Sequence, residues 1–479
     1  MKKLLNKYHS LPEEMKAAMW YTVSNIGQKI APWLVMIILT HMLSTKDYGV
    51  YSVFLSWLEI FEIIITLRIY SSGYVVGLVR KDDNKNVYTA TMQTLSFVLI
   101  VVWLVIYFLL RKPLNHLTDM NTLLSVMMIV SFFGTVSFGL WTSRQRVDNQ
   151  YKSMLLATML YGVVGPILGA LTVFLNLDNP ITWVIAIRIV LQLVVAVPFF
   201  ISNIKGATSI WNKSFASEAL KYNLPLLPYY LSMVLLNHSD RLMIQKFSGY
   251  SAAAMYSVAY SAAMMIFVVS GALNLSLQAW LFKALKINKR ENQTKLISVG
   301  TIIVILCCLL EIVMAPEAIL VLGGKKYLTA IWAMPPVVLS VIIMFIYQQY
   351  VNVLFYFKKT KLILFCSVFA AFCNIGLNAF FIPRYGFVAA GYTTFASYLI
   401  VMILYYVMMR KVCADNEINH ADYFNDKLQL VLFIGSVAFS AVVMFLYDYA
   451  ILRYIVCAII LAVIFVNRKR VLSLLKSRS

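Results

Sequence analysis

The sequence predicts an all-α polytopic membrane protein: about fourteen transmembrane helices, with two pseudo-symmetric six-helix bundles around a central cavity and a final helix pair. Three observations lead there. Of the 479 residues, 61% are hydrophobic and only 13% charged, and the mean hydropathy is +0.79. Apolar runs of about 20 residues, the length that crosses a bilayer as helix, recur from end to end. Lysine and arginine, finally, concentrate in alternate loops.

Reading apolar runs between polar breaks places helices near 17–43, 48–78, 88–110, 120–143, 153–176, 181–204, 219–247, 251–282, 296–315, 328–357, 362–382, 386–409, 429–448 and 450–467. The chain starts basic, but Pro12, Glu13 and Glu14 stand where a secretory signal would carry its apolar core, so no cleavage is expected. An even number of crossings leaves both ends on one side. The amino end, alternate loops and the tail "NRKRVLSLLKSRS" hold 29 of the 41 basic residues, against eight in the opposite loops: Lys46, Arg111, Lys112, Lys246, Lys325, Lys326, Arg384 and Arg453. The positive-inside rule then predicts cytoplasmic termini. The net charge of +21 follows from topology. It needs anionic head groups of membrane lipids as partners, and no nucleic acid.

The expected division is 1–204 and 205–411 for the two bundles and 412–479 for a cytoplasmic linker with the last helices. Symmetry supports it. "LSTKDYGVYSV" follows the first helix and "FSGYSAAAMYSV" the seventh, so Tyr-Ser-Val recurs after a six-helix offset. Repeats of equal helix number that start on the same face imply a pseudo-twofold axis along the membrane normal. No extramembrane domain is visible that would house a soluble active site. The six cysteines show neither a disulfide framework nor metal-ligand spacing, and no cofactor is implied.

Eight charges lie inside predicted helices, where each costs roughly 2.5–3.5 kcal/mol unless offset. Four are cations: Lys29, Arg68, Arg188 and Arg241. Four are acids: Glu59, Glu62, Asp240 and Glu311. At about 1.5 Å per residue, Lys29 and Arg68 sit near mid-depth. Glu59 and Glu62 share one helix face and are placed to neutralise Lys29 or Arg68. Asp240 and Arg241 project about 100° apart, so they need different partners, one gripping a neighbouring helix and the other facing the cavity. His238 is a proton carrier or an interhelical hydrogen-bonder. A hydrated path lined by the four cations would accompany an anionic head group, and the guanidinium fork suits phosphate oxygens. Some of the 29 tyrosines and 9 tryptophans would stack on sugar rings, beyond their default use in interfacial belts and core. Prolines mark where a moving helix would bend: Pro32, Pro225, Pro228, Pro335 and Pro336.

The segment Tyr350 to Ile400 has a lysine-rich turn, a helix with Asn374 and Asn378, then Ile-Pro-x-Tyr-Gly at Ile382 to Gly386 and a small-residue helix start. With "LSTKDYGVYSV" and "SDRLMI" (Ser239 to Ile244), it resembles bacterial lipid-linked oligosaccharide flippases of the multidrug/oligosaccharidyl-lipid/polysaccharide superfamily. The family's usual Gly-Ala-Ala after the Tyr-Gly turn is replaced here by "VAAGY". The resemblance implies alternating access. It implies a cavity taking an undecaprenyl-pyrophosphate-linked sugar unit from the inner leaflet to the outer, with cationic residues on the pyrophosphate and acidic sugars. Arg68, Arg241, Lys29 and Arg188 are the candidates, with Glu59, Glu62, His238, Asp240, Asn374 and Asn378 in supporting or coupling roles. The implied partners are the lipid-linked oligosaccharide and the polymerase and assembly proteins of O-antigen, capsule or exopolysaccharide synthesis.

A drug or cation antiporter of the same superfamily would share the architecture but should present uncompensated carboxylates to its substrate. A polysaccharide polymerase or a glycosyl- or acyltransferase would need convergent acid/base groups at one face. Here the five histidines are scattered and no His-Glu-x-x-His run exists. A transporter, not an enzyme, is therefore expected.

Overall fold

The computed structural model describes residues 13–148, 150–287 and 294–476; the basic amino end with Pro12 and the last three residues of the tail lie outside the described residues. Within them the chain is helical throughout. Eleven helical segments are long and apolar enough to cross a membrane, which makes this a multi-pass membrane protein. Helices also stand at the other three expected places, α1 (Glu13–Met42), α11 (Leu227–Ser248) and α20 (Ala450–Lys476), but these do not meet the same measure of length and hydropathy over described residues.

The chain separates into two compact units, residues 1–44 with 54–231, and residues 45–53 with 232–479. The first contains α1, most of α2 (Thr45–Thr66), α3 (Ser72–Arg80), α4 (Lys85–Leu109), the short α5 (Arg111–Thr118), α6 (Thr122–Val147), α7 (Tyr151–Met159), α8 (Gly165–Leu171), α9 (Pro180–Ile204) and α10 (Lys213–Asn223). In it α9 packs on α4, α6 and α8, and α1 on α7 and α8. A cluster around Tyr74, Leu78, Tyr88, Met92 and Leu140 joins α3 to its neighbours.

The second unit holds α12 (Tyr250–Ala263), α13 (Met265–Ile287), α14 (Thr294–Val313), α15 (Ala315–Gly323), α16 (Met334–Tyr356), α17 (Thr360–Tyr385), α18 (Phe387–Asp415), α19 (Asp426–Phe445) and α20. Its axis is α16, buried on every face from Met334 to Phe345 and packed against α13, α14 and α18. A helix that is apolar all round belongs in such a place. The outer faces of α4 and α20, with Val101, Val105, Phe108, Ile455 and Ile459 exposed, are instead the surface that hydrocarbon would cover.

Several expected helices are not continuous; 251–282, for one, is divided at Met264 into α12 and α13. The span 48–78 breaks after Thr66, where Leu67 and Arg68 adopt left-handed backbone with φ of 51° and 48°. Thr66 makes the break possible. Its hydroxyl donates to the Glu62 carbonyl (2.7 Å) and accepts from the Arg68 N–H (3.1 Å), so the freed backbone groups are satisfied without water. The span 153–176 contains a π turn at Leu160–Val164 before Pro166, whose missing N–H cannot extend the preceding α ladder. The span 219–247 divides into α10, a 3-10 turn at Leu224–Leu226 and α11.

The prolines divide likewise. Pro32 lies inside α1 without ending it, and Pro225 and Pro228 occupy the turn before α11 and its first residues. Pro335 and Pro336 do not sit inside a helix as expected. A 3-10 stretch (Lys325–Trp332) precedes α16, and both prolines stand in its first turn, where no hydrogen bond is lost and no bend results.

The two Tyr-Ser-Val repeats meet inside the second unit. A Cβ at Gly49 would lie 2.0 Å from the Tyr250 carbonyl oxygen, and the Thr45 hydroxyl donates to Ser251 at 3.2 Å. Only glycine permits that approach.

Candidate functional site

The costly residues of α11 are arranged by helix geometry. Asp240 is fully buried, and its carboxylate accepts from Tyr256 of α12 (2.6 Å), Thr394 of α18 (2.6 Å) and Asn378 of α17 (2.6 Å). Asn378 also donates to Asn374 (3.1 Å), which accepts from Ser239 (3.0 Å), while Thr393 donates to Asn378. One carboxylate thus ties four helices together. Every oxygen is matched to a donor, which is what keeps a buried acid affordable.

Arg241 turns the other way. Its Nε donates to Ser257 (3.1 Å), one terminal nitrogen donates to the Asn237 carbonyl (3.1 Å), and the guanidinium carbon lies 4.5 Å from the Tyr260 ring centroid. Tyr260 and Tyr398 both donate to the Asn237 side-chain oxygen. The charge is held by neutral groups and a π face, with no ion pair to Asp240. His238 stands 3.4 Å from the same guanidinium through Nδ1, a contact within one helix and not the interhelical bond expected of it.

In the first unit the α2–α3 break folds Arg68 back toward its own helix. Its Nε is 3.8 Å from Glu62, and its guanidinium carbon lies 5.3 Å from the Tyr230 ring centroid. Glu62 also accepts from the Tyr70 hydroxyl. Of the two acids, Glu62 is therefore the one that meets Arg68, along the chain and not across a helix pair. Lys29 is exposed on α1, and Arg188 is partly buried on α9 where that helix packs closely on Gly169. Of the four cations, Lys29, Arg68 and Arg188 belong to the first unit and Arg241 to the second.

Sequence reasoning missed the neutral partners. Tyr256, Thr394, Ser257 and Tyr70 carry no mark in an apolar run. It also missed a carboxamide cluster joining α13 to α16. Gln278 donates to Asn352 (2.9 Å), and Gln349 (2.9 Å) and Asn352 (3.0 Å) both donate to Asn274. Its signal was present as "NLSLQ" and "YQQYVN", amides at helical spacing in otherwise apolar segments.

The sequence profile of the family described as polysaccharide biosynthesis protein matches residues 15–282, more than half of the chain. The chain belongs to that family. No curated protein sequence matches it significantly. Among solved structures, the family member is similar to a lipid II flippase, MurJ, in its inward closed conformation, with a TM-score of 0.69 at 12% identity, covering 95% of this chain and 100% of that one. It is also similar to a multidrug resistance MATE family transporter of the MOP superfamily. The inward-facing form gives a TM-score of 0.65 at 12% identity, covering 81% of this chain and 96% of that one. The outward-facing form gives 0.54 at 12%, covering 84% and 97%. By family the chain is a polysaccharide biosynthesis protein, and its fold is the one seen in a lipid II flippase and in MATE family transporters.

Proposed function

We propose that the protein is a flippase moving an undecaprenyl-pyrophosphate-linked oligosaccharide repeat unit from the inner to the outer leaflet of the bacterial cytoplasmic membrane, for cell-surface polysaccharide such as O-antigen, capsule or exopolysaccharide. Membership of a polysaccharide biosynthesis family supports the substrate class. The observation that carries the reading is Arg241: a guanidinium whose hydrogen bonds go to a hydroxyl and a carbonyl and which lies over an aromatic ring, with no carboxylate bonded to it, an arrangement suited to a phosphate.

In this reading Arg241 and Arg68 accompany the pyrophosphate, with Lys29 and Arg188 on the same path. Asp240, Asn374 and Asn378 couple helix positions to the transport cycle, while Glu59, Glu62 and His238 adjust charge. Pro32, Pro225 and Pro228 serve as hinges, and alternating access carries the head group while the lipid tail stays in the bilayer. Both termini face the cytoplasm, and the polymerase and assembly proteins receive the product outside.

The test is reconstitution of the whole chain in liposomes with a lipid-linked oligosaccharide on one leaflet. Translocation without covalent change to the glycan, reduced at least about tenfold in Arg241→Ala, is the expected result. Drug export with no glycan movement would replace this reading with an antiporter, and a lengthened glycan would replace it with a polymerase.

A further inference from the structure

The first unit contains a cavity of about 300 Å³ whose lining includes none of Lys29, Arg68 and Arg188. It runs along one face of α6, from Thr135 past Thr142 to Arg146, and is closed by Gln28 of α1, Ser71 of the α2–α3 break and Thr158 of α7. Two irregular stretches flank it: the left-handed turn at Leu67–Arg68 and the π turn at Leu160–Val164. Irregular backbone at membrane depth is tolerated where it borders a polar cavity.

The decisive group is Thr158. It is only 2% exposed, lines the cavity, and its hydroxyl has no hydrogen-bond partner; the Ser71 hydroxyl is in the same condition. Leaving such groups unmatched is costly, so a ligand that pairs them recovers that energy. Thr142 already donates to a backbone carbonyl and keeps lone pairs free for a donor. The Phe138 ring, stacked on Tyr161 at 4.3 Å, forms an apolar wall. None of the described residues lining the cavity is a carboxylate, and its one guanidinium, Arg146, is exposed. That lining, without a carboxylate, does not suit a cationic drug.

We infer that this cavity is a carbohydrate-binding site, taking one or two sugar rings whose hydroxyls pair with Ser71 and Thr158 and whose apolar face lies on Phe138. The volume is at the small end for ligand sites and too small for a whole repeat unit. The inference rests on the reading of the protein as a carrier of lipid-linked sugars, and it moves sugar selection away from the arginines.

The test uses the full-length protein in phospholipid nanodiscs. Binding of free N-acetylglucosamine and glucuronic acid is followed by saturation-transfer NMR, and translocation of a lipid-linked oligosaccharide is measured on the same preparations in liposomes. At least one sugar should bind to the wild-type protein, with affinity falling about tenfold in Thr158→Val and Ser71→Ala and returning in Thr158→Ser, which restores the hydroxyl. Absence of binding by both sugars, or binding indifferent to these variants, overturns the site. Translocation by a protein that binds neither sugar would leave the flippase reading standing and remove the cavity from it. Sugar binding without any glycan movement would do the reverse.

Discussion

Asp240 accepts from three helices while the adjacent Arg241 turns to Ser257, the Asn237 carbonyl and the Tyr260 ring. The difference has measurable consequences. Asp240→Ala strands the Tyr256, Thr394 and Asn378 donors in a dry interior, and a loss of about 3 kcal/mol is expected, read as a lowered unfolding temperature of the purified protein. Arg241→Lys should behave differently. An ammonium cannot hold both bonds of the fork while lying over Tyr260, so translocation should fall while the unfolding temperature stays close to wild type. Their divergence was legible in the sequence, because neighbours on a helix project about 100° apart. The partners were not. Thr394 lies 154 residues from Asp240, and no periodicity within one helix says which other helix stands beside it.

At the scale of the element, the break after Thr66 and the pinning of α20 show what apolar runs conceal. "LRIYSSG" contains no proline, and its single glycine comes after the turn; hydropathy runs straight through it. The break is set by packing and by Thr66, whose hydroxyl looks like any other helix threonine until the Arg68 N–H is seen on it. Arg453 was expected only as an outer-loop cation. Its side chain is 4% exposed, and it clasps Glu317 of α15 with two bonds of 2.7 and 2.9 Å, fastening the start of α20. Replacing it by alanine should weaken that attachment by about 2 kcal/mol, detectable as faster proteolysis of the last helix. Burial alone would push the Glu317 carboxyl up, but the bonds from Arg453 and Tyr454 outweigh it and hold the pKa below the usual 4.5. A depressed pKa contributes stability above the ordinary value and loses it as pH falls through the folded one. Protection of α20 should therefore be constant at neutral pH and decline below about pH 4.5 in the wild type, and show no such decline in Glu317→Gln.

For the whole molecule, composition and the alternation of basic loops were sufficient to predict a multi-pass helical membrane protein, and short motifs such as Ile382 to Gly386 carried the family resemblance. That turn is built as its residues require, with Gly386 at a φ of 68° closing α17. The places of the helices were legible because hydrocarbon enforces a length on each apolar run. The interior breaks and the hydroxyl-lined cavity were not, because serine and threonine are inexpensive inside membrane helices and announce nothing until coordinates show which ones lack a partner.

Gly49 carries this reasoning into biosynthesis. Its notch is filled by the Tyr250 backbone, about 200 residues later in the chain. At roughly 5–20 residues per second, the first turn of α2 waits about 10–40 s on the ribosome before its partner exists. A bulky residue at position 49 would therefore do its harm only once the first unit has been synthesised and just over half of the chain exists, as a failure of one closure. Gly49→Leu should accordingly accumulate as full-length protein that is inserted and then degraded, a pattern that pulse-chase labelling of membranes separates from failed insertion.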